Sequence, residues 1–475
     1  MKMSCRPPEN FKHFVMKTVF LTLFALLLLC DVMANTINIA DRGAKGDGKT
    51  DNTAIIQQAI NECQQGTVLI PQGNYLTGPL VLKSDIRLYL EYGATLTGIP
   101  DMKKYPRPAK GGTPSLLHAA DAANITICGE GTIDGQGDHP SFQLGDDSKT
   151  GAIRPMLLHM ERCRHITVKD VHIRNAAYWV QKYEGCDDVT LHALKIYSHG
   201  NYNNDGIDIS GSSNVLISDC YIDTDDDALC FKSEVNASCE NITVSNCVLR
   251  SNCNALKFGT GSFSGFKNIA VSNIAIHKAS EENRRHWKKN MPWMGITTDT
   301  TVIAGIALEV VDGGSMDQVI ISGVAMKDVQ TPVFIRLGDR NRGNTISSLK
   351  NVIISNIIAQ SASQLTSSIT GIPGYYVENV SISHVIITTP GGAANSNKPV
   401  PENIAAYPEN RMFGTTLPAA AFYLRHVKNI SFEDIRVNTL QPDARPAFVL
   451  DDVSGFENNR CWVNGTTATV SILKN

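Results

Sequence analysis

The chain has little that would commit it to a charged partner. Only 19 % of its 475 residues are Asp, Glu, Lys or Arg, and the net charge is −3, which leaves no electrostatic footprint for nucleic acid. Paired CxxC motifs and the Cys/His spacings of zinc sites are absent. There is no low-complexity tract and no apolar run long enough to span a bilayer. The apolar run from Val19 to Leu29, after Met16-Lys17 and before Cys30, is short but suits a secretory h-region. Cleavage after Ala34 is expected, which makes 1–34 a leader with Met16 as its true start and 35–475 the mature domain. The alternative is lipidation at Cys30, although Leu29 is not the small residue that a lipobox prefers before the Cys. Either way the protein is expected to be exported, periplasmic or extracellular, with an outer-membrane anchor in the second case.

Twelve cysteines are present, two of them (Cys5, Cys30) in the expected leader. Export would permit disulfides, but the spacing argues for another role. Cys163, Cys186 and Cys239 each sit two residues before a strand phrase, and Cys220 and Cys247 hold the same place in consecutive repeats. That pattern is a ladder of small apolar side chains inside a coil.

The coil follows from the repeat. A phrase of the form polar–V/I–x–I/V–x–N/D–x–x–I/V recurs as NITICGEGTI at 124, HITVKDVHI at 165, NVLISDCYI at 214, NITVSNCVL at 241, NVIISNIIA at 351 and NISFEDIRV at 429. Alternation of apolar residues over short stretches means strands, and a recurring period of 20–30 residues means a solenoid. Helical connectors of the leucine-rich type are missing. The expected fold is all-β, a single-stranded right-handed parallel β-helix. A helix from Asp51 or Asn52 to about Glu62, with Ile55, Ile56, Ala59 and Ile60 on its apolar face, caps the open end. Insertions at 137–154, 279–303 and 362–373 are expected to project as loops.

The densest chemistry lies between 203 and 234. Asp226 and Asp227 follow Asp205 by 21 and 22 positions, one coil. DGIDIS at 205, DALCFKS at 227 and NALKFGT at 254 read as equivalent strands. Asp205, Asp227 and Asn254 then share a column, with Asn204, Asp226 and Cys253 in the next. Ile207, Leu229 and Leu256 point inward, and Asp208, Lys257 and Lys232 outward. Like charges this close push one pKa up, the arrangement a glycosidase needs for an acid and a base. An Asn/Asp ladder and a calcium site are the other readings of the same residues.

At this point the chain resembles glycoside hydrolase family 28, the polygalacturonases, as a divergent bacterial member. GDGKTDNTAIIQQAI at 46–60, GTIDGQG at 131–137 and RPMLLHMERCRHITVKDVHIRNAAYWV at 154–180 resemble that family. Asn203-Asn204-Asp205 matches its Asn-Thr-Asp motif with Asn for Thr, and Asp225-Asp226-Asp227 its Gly-Asp-Asp motif with Asp for Gly. The resemblance implies inverting hydrolysis of α-linked pectic sugars, with Asp226 as general acid and Asp205 and Asp227 holding and deprotonating the water. It also implies a substrate of pectic polysaccharide or oligosaccharide, galacturonide or rhamnogalacturonan in type.

Two departures stand out. The family's Gly-His-Gly falls at Cys253-Asn254-Ala255, and its Arg-Ile-Lys, which grips a galacturonate carboxylate, at Ala307-Leu308-Glu309. Glu309 is expected to repel a uronate there. Lys232, Lys257 and Arg336 are the expected substitutes, binding a uronate in a shifted pose or lowering the pKa of Asp227, with a salt bridge to Glu309 as the other reading of Arg336. Asn254, Asn203 and Asp208 complete the expected substrate-binding set. Tyr178, Trp179 and Tyr202 lie near this face. No cofactor or metal is called for, and a capped coil is expected to be a monomer. Rival functions are a calcium-dependent pectate lyase on the same fold and a non-catalytic carbohydrate-binding coil.

Overall fold

The computed structural model describes residues 35–108, 112–143, 153–281, 286–394 and 399–473. The expected leader, its Met16 start and Cys30 lie outside the described residues. No helix among those described is long and apolar enough to cross a membrane.

The strands stack in parallel, coil upon coil, into a right-handed β-helix. Ile207 lies beside Leu229, Leu229 beside Leu256, and Leu256 beside Ile306. Ile209, Phe231, Phe258 and Leu308 form the neighbouring rung. All eight are fully buried, and the Phe231 and Phe258 rings lie 4.7 Å apart. Period-two alternation sends these side chains inward, and each rung removes apolar area from water at roughly 25 cal/mol per Å².

The polar positions of the repeated phrase are its corners. Asn214, Asn241, Asn268, Asn351, Asn379 and Asn429 all have φ of 53–56°, the left-handed region that Asn tolerates better than most side chains. Their amides also bond along the coil, Asn241 to Asn214 at 3.2 Å, Asn268 to Asn241 at 2.8 Å and Asn379 to Asn351 at 3.0 Å. Asn246, Asn273 and Asn356, at φ of 56–57°, occupy a second set of corners. The motif recurs because each coil needs these turns.

The capping helix runs Thr53–Glu62 and buries Ile56, Ala59 and Ile60, with Ile55 partly buried against the core. Asn52 is at the N-cap without capping through its side chain. Asp51 does that instead, accepting from Thr53 N at 3.0 Å. Gln57 pairs with Val81 on both backbone groups, at 2.8 and 3.0 Å, and so satisfies groups on a first-coil strand that would otherwise be an open edge. The ten cysteines of the described residues are free and buried, as the stacked-ladder reading requires.

The insertions differ from expectation in two places. Residues 286–301 leave the coil, with a short helix at Trp287–Asn290 and a 3-10 turn at Pro292–Met294, and the coil resumes in the strand Val302–Val310. Within 362–373, however, Ser367–Thr370 is a coil strand, paired with Phe334–Arg336 on one side and Phe422–Arg425 on the other. Its sequence SSIT is polar on alternate positions that are nevertheless buried, so apolar alternation was a poor guide there. A longer excursion, described at residues 399–421, returns over the sheet that carries Asp208 and Lys257, bringing Tyr407 to Lys257. Residues 144–152 of the first insertion lie outside the described residues.

Candidate active site

The acidic residues sit on turns that lead into three consecutive strands, Ile207–Ser210, Leu229–Ser233 and Leu256–Ser262. Gly206 N donates to Asp227 O and Ala228 N to Asn254 O, each at 2.9 Å. These ladder bonds put Asp205, Asp227 and Asn254 in one column. A carboxylate oxygen of Asp205 comes within 4.8 Å of one on Asp227, and the same holds for Asp226 and Asp227.

Two lysines hold the buried carboxylates. Asp227 Oδ1 accepts from Asn254 N at 3.0 Å and Asn254 Nδ2 at 2.9 Å, and its Oδ2 from Lys257 Nζ at 2.8 Å. Asp205 Oδ2 accepts from Lys232 Nζ at 3.0 Å. Lys232 also bonds Asp208 and lies 4.0 Å from the centre of the Trp179 ring, a cation–π contact. Asp205, Asp208, Asp227, Lys232 and Lys257 are all buried. Asp226 is half-buried, and its Oδ1 accepts from Asp227 N at 3.0 Å. Ser251 Oγ fixes the Asp226 carbonyl at 2.6 Å.

Burial sets the proton affinities. It pushes the Asp205 carboxyl well above the carboxylate range against the pull of Lys232, and Asp208 up to about 6. Burial also works against the lysine ammonium groups. At Lys257 the facing Asp227, with Tyr407 and Glu309, outweighs it, and at Lys232 Asp205 and Asp208 do the same. Both lysines stay charged well above their ordinary range.

Asn204 is a structural pin, donating to the carbonyls of Ala176 and Tyr178 at 3.0 and 2.8 Å. Asn203 Oδ1 accepts from the buried Arg154 at 3.0 Å. Asp208, Lys232 and Lys257 do project outward from the coil, as expected, but loops cover them. Arg336 is 1 % exposed. It donates to Thr370 Oγ1, Gly371 O, Glu402 O and Asn403 O at 3.0–3.3 Å. That ties down the excursion at Glu402 and Asn403, and the guanidinium is neither offered to a ligand nor bridged to Glu309. Tyr178, Trp179 and Tyr202 are all partly exposed, and Tyr178 and Trp179 stack at 5.1 Å.

Glu309 also differs from expectation. It is fully buried, and neither oxygen has a hydrogen-bond partner among the described residues. Burial raises its pKa well above the carboxylate range, with Asp227 and Glu409 adding to this and Lys257 opposing it. A carboxyl buried this completely is not presented to a uronate. Tyr407 was not foreseen. Its hydroxyl accepts from Lys257 at 3.2 Å across 150 positions of sequence, and no local pattern carries that pairing.

Comparison with known proteins gives this geometry a setting. The chain is 30 % identical over 254 residues to an exo-poly-alpha-D-galacturonosidase of Dickeya chrysanthemi, an alignment that spans 41 % of each protein. Its fold matches the exopolygalacturonase of Thermotoga maritima with a TM-score of 0.65 at 21 % identity, covering 85 % of this chain and 91 % of that one. It also matches PfbA, a surface adhesin of Streptococcus pneumoniae, with a TM-score of 0.57 at 15 % identity over 92 % of this chain and 91 % of the adhesin. The coil alone therefore does not decide activity. The sequence pattern of Glycosyl hydrolases family 28 matches residues 61–406, more than half of the chain, and the protein belongs to that family.

Proposed function

We propose that the protein is an exported glycosidase that hydrolyses α-glycosidic bonds of pectic polysaccharide or oligosaccharide with inversion. The observation that carries this reading is an asymmetry among the carboxyls. Asp226 is half-buried, whereas Asp205 and Asp227 are buried and held by lysines. A partly exposed carboxyl can protonate the leaving oxygen, while the held pair orients and deprotonates a water. The nearest oxygens of Asp226 and Asp227 are within 4.8 Å, closer than the roughly 6.5–9.5 Å of an inverting acid–base pair. Asp205, one coil away and held by Lys232, shares the water with Asp227, which Lys257 holds.

Lys232 and Lys257 are each neutralised by aspartates and Arg336 is buried. This supports a rhamnogalacturonan or side-chain substrate over plain homogalacturonan, because the reacting centre lacks the replaced Arg-Lys grip. The lysines also weigh against a calcium lyase, since each places an ammonium among the carboxylates that a cation would need.

The test is incubation with homogalacturonan, rhamnogalacturonan and pectic side-chain oligosaccharides, with products resolved by mass and the first-formed anomer read by proton NMR. Saturated products of inverted configuration are expected. Unsaturated products, a retained anomer, or equal sugar release by Asp226→Asn would overturn the reading.

A further inference from the structure

Three metal-ligating side chains gather on the site-bearing sheet, ahead of the aspartates. His118, on the strand Ser115–Ala120, is the register partner of His159, on the strand Met156–Glu161. Glu161 follows His159 by two positions and so faces the same way. One donor atom from each of the three lies within 4.8 Å of the others. His118 Nε2 is 3.7 Å from Glu161 Oε2, and the two imidazole rings are 5.5 Å apart with a 42° tilt.

A second observation points to a ligand. His159 is 9 % exposed, and its Nε2 has no hydrogen-bond partner among the described residues. Glu184 Oε2 stands 3.5 Å away, at ion-pair distance. The surroundings also keep the donors apart. Arg162 pairs with Glu161 through Oε1, which leaves Oε2 on the His118 side. Lys182 holds Glu184 at 2.6 Å. Charged partners of this kind orient ligating carboxylates.

We propose that His118, His159 and Glu161 bind a divalent transition metal of the zinc class. Two imidazoles and a carboxylate form a zinc donor set that keeps a fourth position open, whereas calcium and magnesium demand oxygen donors. The open position faces solvent, as His118 and Glu161 side chains are 31 % and 29 % exposed. The site is distinct from the aspartate cluster. The column His118, His159, Lys182, Asp208 puts His159 two strand spacings, roughly 10 Å, from Asp208. The proposal rests on this geometry and not on the hydrolase reading.

Chelator-stripped, dialysed protein is titrated with ZnCl2 by calorimetry and melted with and without the metal. One equivalent should bind with micromolar or tighter affinity and raise Tm, since a ligand for the folded state stabilises it. His118→Ala and Glu161→Gln, both at partly exposed positions, should each weaken binding about tenfold or more and remove the Tm rise. His159→Gln should do the same, and the two exposed variants carry the test if it fails to fold. Asp226→Asn should bind as the wild type does. The proposal is overturned by a wild type that shows no saturable one-equivalent binding, by histidine and glutamate variants that bind normally, or by loss of binding in Asp226→Asn.

Discussion

Lys257 Nζ lies 2.8 Å from Asp227 Oδ2, and neither side chain is more than 4 % exposed. Breaking a buried pair strands a charge, which costs about 3–5 kcal/mol. Lys257→Met should therefore lower unfolding stability by about that amount in urea titrations and abolish sugar release. Adding Asp227→Asn to Lys257→Met should restore much of the stability, because no charge is then left alone, without restoring activity. Stability that stays low in the double variant would mean that Lys257 matters for packing more than for charge.

Asp226→Asn should separate chemistry from folding. The amide oxygen can still accept from Asp227 N, the bond that Asp226 Oδ1 makes at 3.0 Å, and the side chain is only half-buried. Turnover should fall about 10²–10⁴-fold, the usual worth of an acid or base, while stability moves by no more than about 0.5 kcal/mol. Product release by mass and a thermal melt read both.

Glu309→Gln should leave kcat/KM unchanged at neutral pH, because the carboxyl is fully buried and Gln keeps its shape without its charge. The folded pKa lies above the unfolded value near 4.3, so the folded state holds its proton more tightly. That contribution is fully present at low pH and declines as pH rises toward the folded value. Tm curves of wild type and variant should thus run together in acid, with the variant gaining on the wild type as pH climbs.

His426 is a pH-dependent tie for the excursion that carries Tyr407. Its Nδ1 meets Asp452 at 2.7 Å and its Nε2 meets Glu402 at 3.2 Å. Burial opposes the charged ring, but the two carboxylates prevail and its pKa is raised. The stabilisation is then complete below the unfolded value of about 6.5 and is lost as pH rises through the folded one. His426→Asn should lower Tm most near pH 6, and its difference from wild type should shrink toward pH 9. A difference independent of pH would show that the ring acts by shape alone.

The coil was legible because its rules are local. Ile207, Leu229 and Leu256 alternate with outward residues, and the Asn corners recur where the chain turns left-handed. The helix at Thr53–Glu62 announced itself through its apolar face. The strand Ser367–Thr370 did not, since serine and threonine fill positions that burial usually gives to apolar residues. Arg336 faces outward as alternation demands, yet it serves the backbone of Glu402 and Asn403, which reach it from a distant excursion. His118 and His159 are 41 positions apart across an insertion, so nothing in their spacing suggested a shared site.

The amino-acid sequence by itself determined the repeat, the inward rungs and the column that stacks Asp205 on Asp227, because backbone alternation and left-handed Asn turns operate within a single coil. Tertiary structure decided which charges meet a ligand and which meet one another. That outcome depends on what covers the sheet: Trp179 over Lys232, Tyr407 against Lys257, and the fully buried Glu309. Desolvation and cross-coil partners set those states, and both arise only when excursions far apart in sequence pack over the same strands.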